Sequence, residues 1–404
     1  MNAPKRFKEE HKTIATLLAF ALIPLSGFAI DIYIPSLPSM AADMGVSNIQ
    51  VQLTISIFLI SYGLSQLFVG SLVDSFGRFR LSMWGLALFA LASLVIANTH
   101  NIYVVYGMRA IHGLTVALVV VAKRAFFVDE YKGEKLTHYL SIFTIIWSTG
   151  PILAPFLGGH LQTVWGWQSN FYFLAGFATV IGVLEYIYSG ETLKIFAPFK
   201  LAAILDTYAR MVRTASFTMG VLMLGVSYSM VMIYNMTGAF IIQHHFNGSP
   251  VMSGNASLIL GMAWMTGGFI GKATIHYPFF EKLVYNLGIQ ILLVIAMIVS
   301  IHYMENLYTM IGFAFLIHVT AGFTYTNYFS YCLSKFPENA GIASGLCGGI
   351  NYMVVSLMSY LIVTGLPAKD ERNLGFSYAM LIFLAALIMF GVYRFNKRKL
   401  VVTP

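Results

Sequence analysis

Charge is what this 404-residue chain has least of: Asp, Glu, Lys and Arg make up 10% of it, against about 25% in an ordinary soluble domain. So little charge cannot solvate a globular surface, which excludes a water-soluble protein. Only two cysteines occur, Cys332 and Cys347, too few for a disulfide framework or a cysteine metal cluster. No Walker-type phosphate loop is present, which removes the usual cradle for ATP. No nucleophile–base pair or metal-ligand cluster is visible, so the chain reads as no enzyme, with no metal and no cofactor. Short alternating segments are missing as well, which argues against a β-barrel.

What is present is apolar length. Hydrophobic residues make up 58% of the chain, arranged in twelve blocks near 13–37, 50–72, 80–98, 102–126, 137–160, 170–189, 216–241, 252–271, 283–303, 307–331, 341–364 and 374–394. Each has the roughly 20 residues that a membrane-crossing helix needs. The expectation is an all-α membrane protein with twelve transmembrane helices in two six-helix halves. Residues 1–189 form the first, 190–215 a linker and 216–404 the second. The first block follows Lys5, Arg6, Lys8 and Lys12 and is too long for a cleaved signal, so it reads as a retained span.

An even number of spans places both termini on one side. That side collects nearly all the loop lysines and arginines, whereas the other receives only Lys369 and Arg372. The bias points to cytoplasmic termini in a bacterial inner membrane. It also accounts for most of the +8 net charge without nucleic acid. The linker mixes apolar and basic residues at near-helical spacing, as an interfacial helix would; an ordinary solvated linker is the alternative.

Deep charge is the next signal. Asp31 closes the first apolar run, in Gly27-Phe28-Ala29-Ile30-Asp31-Ile32-Tyr33-Ile34-Pro35, with no Lys or Arg nearby. An aspartate at mid-helix costs roughly 2.5–3.5 kcal/mol on insertion scales and is by default a functional-site hypothesis. Lipid-like surroundings penalise its charged form, which suits a proton carrier; a solvated position near the interface is the bland alternative. Arg109, in Arg109-Ala110-Ile111-His112-Gly113 on span 4, is the natural group to meet Asp31. His112 either joins it or hydrogen-bonds within the bundle.

The turn between spans 2 and 3 carries Gly70, Asp74, Gly77, Arg78 and Arg80, a compact charged turn whose glycine supplies the geometry. It resembles the signature loop of the major facilitator superfamily, and the span 4 element resembles that superfamily's Arg-x-x-Gln-Gly with His112 for Gln. Span 5 holds Gly150, Pro151, Pro155, Gly158 and Gly159, which resembles the superfamily's antiporter element. Small-residue faces on span 8 (Gly261, Gly267, Gly268, Gly271) and span 11 (Gly341, Ala343, Gly345, Gly348, Gly349) suggest close seams of span 5 with span 8 and of span 2 with span 11.

Further stretches narrow the resemblance to the Bcr/CflA group of drug:proton antiporters. These are Asp31-Ile-Tyr-Ile-Pro-Ser-Leu-Pro38, Ala122-Lys-Arg-Ala125 through Asp129, Gly166-Trp-Gln-Ser-Asn-Phe171, Glu191-Thr-Leu193 and Ala340-Gly-Ile-Ala-Ser344. His112 and Gln168 depart from that pattern.

The likeness implies a proton-coupled secondary carrier exporting a small organic molecule by alternating access. It would act as a monomer embedded in lipid, driven by the proton gradient. Candidate substrate-lining residues are Tyr33, Phe58, Tyr62, Arg109 and His112 in the first half, and Tyr234, Asn235, His318, Tyr325, Asn327, Tyr328, Asn351 and Tyr352 in the second. Aromatics with a few amides suit flat organic molecules. A carrier for one anionic metabolite, such as a carboxylate siderophore held by Arg109 and His112, is the first alternative. A non-transporting membrane receptor or scaffold is the second. Glu185, near the inner end of span 6, is expected to snorkel or to pair with a lysine.

Overall fold

A computed structural model describes residues 5–402 apart from 197, 200, 337 and 339. Those residues are helical almost throughout, and the helices follow the apolar blocks. In chain order the spans are Lys12–Met44 in pieces, Asn48–Phe76, Arg78–Ala97, Ile102–Glu130, Gly133–Trp165, Gln168–Tyr188, Ala215–Phe240, Pro250–Ala273, Phe279–Ser300, Leu307–Ser334, Ala340–Gly365 and Glu371–Val402. Among the described residues, eleven helices are long and apolar enough to cross a membrane. The remaining one, span 8, has 24 residues. Its apolarity is diluted by Ser253, Gly254, Asn255, Ser257, Gly261 and Thr266.

The chain divides into two compact units, Met1–Lys200 and Leu201–Pro404. In the linker, a helix runs over Leu201–Val212 and leaves Leu201 and Leu205 exposed. The segment 190–193, by contrast, is tied into the first unit.

Span 9 shows why these helices form. It buries Leu283, Asn286, Gln290, Val294 and Met297, one stripe at helical spacing, while Val284, Leu292, Ile295 and Val299 stay exposed. The polar amide points inward: Asn286 Nδ2 donates to the Thr320 carbonyl at 3.0 Å and to Thr324 Oγ1 at 2.8 Å. An apolar exterior with amides inside is the arrangement that lipid selects.

Span 1 is broken. Helix Lys12–Leu22 stops before Pro24, a second piece runs Leu25–Asp31, and a short 3-10 turn at Ile34–Ser36 carries Pro35 before helix resumes at Leu37–Met44. Proline cannot donate to the helix ladder and crowds the preceding turn, so the interruptions fall where the sequence places them.

Within the first unit, the small residues of span 5 meet this broken helix. A Cβ on Gly150 would lie 2.9 Å from the Pro24 carbonyl oxygen, and one on Gly158 would lie 1.6 Å from that of Ile32. Gly159 is buried beside it, and Pro151 and Pro155 sit inside the same helix. In the second unit, span 8 does the same against span 10: a Cβ on Gly267 would lie 1.9 Å from the Val319 carbonyl oxygen. Small residues thus bring backbones together within each half.

Candidate functional site

In the first unit, span 4 delivers Arg109 into the bundle with no exposed surface. Its guanidinium carbon lies 4.8 Å from the Tyr33 ring centroid and 4.6 Å from that of Phe58, and both contacts favour a cation. Nη1 donates to the Ala29 carbonyl at 2.8 Å, close to the end of the helix piece at Asp31, and Nε donates to the Thr54 carbonyl at 3.4 Å. The Asp31 carboxylate, 1% exposed, acts on this guanidinium through its charge. Arg109 is thus tied to the backbone of the broken helix two residues before Asp31.

The hydrogen bonds settle the state of His112. Nη1 of Arg109 lies 3.2 Å from His112 Nδ1, and a guanidinium can only donate, so Nδ1 accepts. The ring proton then belongs on Nε2, which donates to Ser93 Oγ at 3.0 Å; the serine in turn donates to the Phe89 carbonyl at 2.9 Å. His112 is a neutral relay that orients Arg109 and ties spans 1 and 2 to span 3. Tyr33 is equally committed. Thr54 Oγ1 donates to the Val51 carbonyl at 2.5 Å, so the Tyr33 hydroxyl must be the donor in its 2.8 Å contact with Thr54. Phe58 and Tyr62 stack at 5.7 Å, which completes a group containing every first-half candidate.

The second-half candidates separate into three groups. His318 Nε2 meets the Tyr378 hydroxyl at 3.2 Å, with the Tyr234 ring edge-on at 5.8 Å. Tyr325 lies 5.2 Å from Trp264 and 6.2 Å from Tyr228, and Tyr352 lies 6.0 Å from Tyr228. Tyr328 packs on Phe279 at 5.3 Å. Asn327 donates to the Phe323 carbonyl of its own helix at 2.9 Å. Asn235 and Asn351 are buried on spans 7 and 11. Tyr378, Trp264 and Tyr228 were not foreseen, since an isolated aromatic in a span reads as packing.

The turn between spans 2 and 3 is a network. Arg78 Nη2 pairs with Asp74 at 2.9 Å, Nη1 pairs with Asp129 and donates to the Ala125 carbonyl at 2.9 Å, and Thr192 donates to Asp129 at 2.7 Å. Glu191 caps span 3: its carboxylate accepts from the backbone N–H of Arg78 at 3.2 Å and of Phe79 at 3.1 Å. A carboxylate there satisfies orphan donors and meets the positive end of the helix dipole. Gly77 has φ +96°, and a Cβ on it would lie 2.6 Å from that carboxylate, so the turn admits only glycine. Arg80 is exposed, and a Cβ on Gly70 would touch nothing within 4 Å.

The N-terminal segment pairs with the same residue, Glu191 N–H donating to the Lys5 carbonyl at 2.8 Å and Phe7 N–H to the Glu191 carbonyl at 3.2 Å. Partial desolvation, with the neighbouring Lys8 charge, holds the Lys5 amine below its ordinary pKa. Glu191→Gln is expected to lower stability by about 1 kcal/mol, the scale of a lost cap. Thermal unfolding in detergent measures it, and an unchanged midpoint would deny Glu191 the capping role.

Among the described residues, no group of three or more His, Cys, Asp or Glu could hold a metal ion. Both cysteines are buried and free.

The profile of the Major Facilitator Superfamily matches residues 19–359. The chain belongs to this superfamily. It is 26% identical over 391 residues to the MFS-type transporter YdgK of Bacillus subtilis, covering 95% of this chain and 96% of that one. It is 26% identical over 384 residues to Multidrug resistance protein D of Escherichia coli, covering 94% and 96%. Its fold matches that of the nucleoside transporter NupG with a TM-score of 0.71 at 13% identity, over 95% and 99% of the two chains. Membership makes the chain a multi-pass, secondary-active transporter of the superfamily's all-α fold. The Arg109 cluster and the turn between spans 2 and 3 are thus parts of a transporter rather than of an enzyme.

Proposed function

We propose that this superfamily member is a proton-coupled exporter of small, flat organic compounds of the drug type. We place it in the Bcr/CflA group, acting as a monomer in a bacterial inner membrane with both termini cytoplasmic. The observation that carries the reading is the buried Asp31 at a break in span 1, in the field of a fully buried Arg109. A proton added to Asp31 cancels the charge that acts on the guanidinium, and its loss restores it. A switch of this kind biases two conformations by the difference in interaction between them. One charge moved across 100 mV is worth about 2.3 kcal/mol, enough to drive such a bias. The multidrug resistance relatives support the substrate class.

Transport of one anionic metabolite is a second reading, favoured by the buried Arg109 Nη2, which has no hydrogen-bond partner. His112 does not help it, because both ring nitrogens are engaged. The test uses purified protein in proteoliposomes with an imposed pH gradient and ethidium as probe. Ethidium movement that collapses with the gradient is expected, with citrate failing to compete. Citrate transport without ethidium transport would establish the second reading, and no flux of either would favour a receptor or scaffold.

A further inference from the structure

A second charged pair is buried in the first half, outside both networks described above. Lys123 of span 4 and Glu185 of span 6 meet at 2.6 Å, with side chains 7% and 1% exposed. The pair fulfils the expectation that Glu185 finds a lysine, and it is deeper than snorkelling would leave it. Lys123 lies 14 residues beyond Arg109 on the same helix, or about 21 Å at 1.5 Å per residue. It is therefore a separate site.

Two observations set this pair apart from a structural tie. Burying two charges costs about as much as their attraction returns, so apolar residues of similar size are often as stable. Moreover, Glu185 Oε1 is buried with no hydrogen-bond partner, leaving half of the carboxylate uncompensated.

An exposed cation stands close to the pair. Lys5 is exposed, and its ammonium donates to the carbonyls of Tyr186 and Ile187 directly after Glu185, the latter at 2.8 Å. Its charge reaches Glu185. The other charged groups at this end of the packed elements include Lys12 from span 1, held by Glu9 and Glu130, Arg78 from span 3, held by Asp74 and Asp129, Glu191 capping span 3, Lys8 paired with Glu10, and the exposed Arg80. Arg124 stands beside Lys123 on span 4, and Glu134 and Lys135 open span 5. The titratable rings are Tyr131, bonded to Thr16 and packed on Tyr139, His11 and Tyr188, packed on each other, and Tyr186, under the Lys5 ammonium.

We infer that Glu185 is a second proton-accepting group of the transport cycle, with Lys123 as its counter-charge and Lys5 at its mouth. A hydronium ion gives its proton to Oε1: the carboxyl O–H bond forms as one hydronium O–H bond breaks, and water is released. Lys123 keeps its protons, and the pair passes from zero net charge to +1. The inference rests on the proton-coupled reading above, and it predicts two protonatable carboxylates per transporter.

The test is infrared difference spectroscopy of the full chain between acidic and alkaline pH, in the Asp31→Asn background so that the first carboxyl is silent. A protonated-carboxyl stretch that titrates there and disappears on adding Glu185→Gln is expected. Spectra identical with and without Glu185→Gln would overturn the assignment. Should Glu185→Gln fail to fold, Lys123→Met with Glu185→Leu removes both charges together. That variant is expected to lose the same band while keeping its unfolding temperature, and retention of the band would again refute the inference. The spectrum needs no substrate, so a titrating band alongside absent ethidium flux leaves Glu185 as a proton site and removes only the drug-export reading. Where ethidium does move, Glu185→Gln is expected to lower the protons exchanged per dye molecule by about one, and an unchanged ratio would count against it.

Discussion

Asp31→Asn is expected to abolish ethidium transport driven by a pH gradient, by tenfold or more, while leaving exchange of ethidium at equal pH intact. Asparagine keeps the shape of the side chain, with a donating amide in place of one accepting oxygen, but cannot gain or lose a proton at neutral pH. The charge facing Arg109 is then constant through the cycle, and the gradient has nothing to act on at this site. Since Asp31 is 1% exposed, the substitution also removes a buried charge. The folded protein should therefore survive, and size-exclusion behaviour in detergent checks this. Equal-pH exchange separates loss of coupling from loss of binding. Gradient-driven flux at the native rate would exclude Asp31 as the coupling group.

The second large effect concerns packing. Gly158→Ala is expected to destabilise the first half by about 1–3 kcal/mol or more, the range for overpacked interiors. The added methyl would lie 1.6 Å from the Ile32 carbonyl oxygen, which is backbone and cannot rotate aside. Either span 5 retreats or the broken helix of span 1 shifts, and both would disturb Asp31 next to Ile32. Gly176→Ala, with nothing within 4 Å of the new methyl, should match or slightly exceed the parent protein, because alanine favours helix. The unfolding midpoint in detergent and the rate of gradient-driven flux are the two readouts. A Gly158→Ala protein as stable and active as the parent would mean that span 1 does not rest on span 5 in this way.

Span positions were legible in the sequence because lipid imposes a length, and twenty apolar residues leave few alternatives. Span 8 is the instructive case, since it forms a full helix while being too dilute in apolar residues to pass as a span by composition. Asp31 and Arg109 were legible for the same reason in reverse: charge at depth is costly, so it stands out. Which helices meet was not legible. A stripe of small residues announces close contact without naming the partner, and Gly150 and Gly158 found span 1. Nor was the direction of each second-half candidate. Asn327 lies about 200° around the helix from Tyr325, whereas Tyr328 lies only about 60° away and still packs on a different ring, Phe279 rather than Trp264. Glu191 was visible only as part of a family pattern. Its role as the cap of span 3 spans 113 residues, beyond the reach of any local rule.

The histidine at position 112 stands where the superfamily's pattern has glutamine, and that departure is nearly silent. A glutamine would turn its carbonyl toward the guanidinium and its amide toward Ser93, the same polarity that the neutral imidazole presents. The ring adds a face set against Phe89 at 4.4 Å, and it adds a liability that an amide lacks. A proton on Nδ1 would set two donors against each other, so the hold on Arg109 depends on the ring staying neutral.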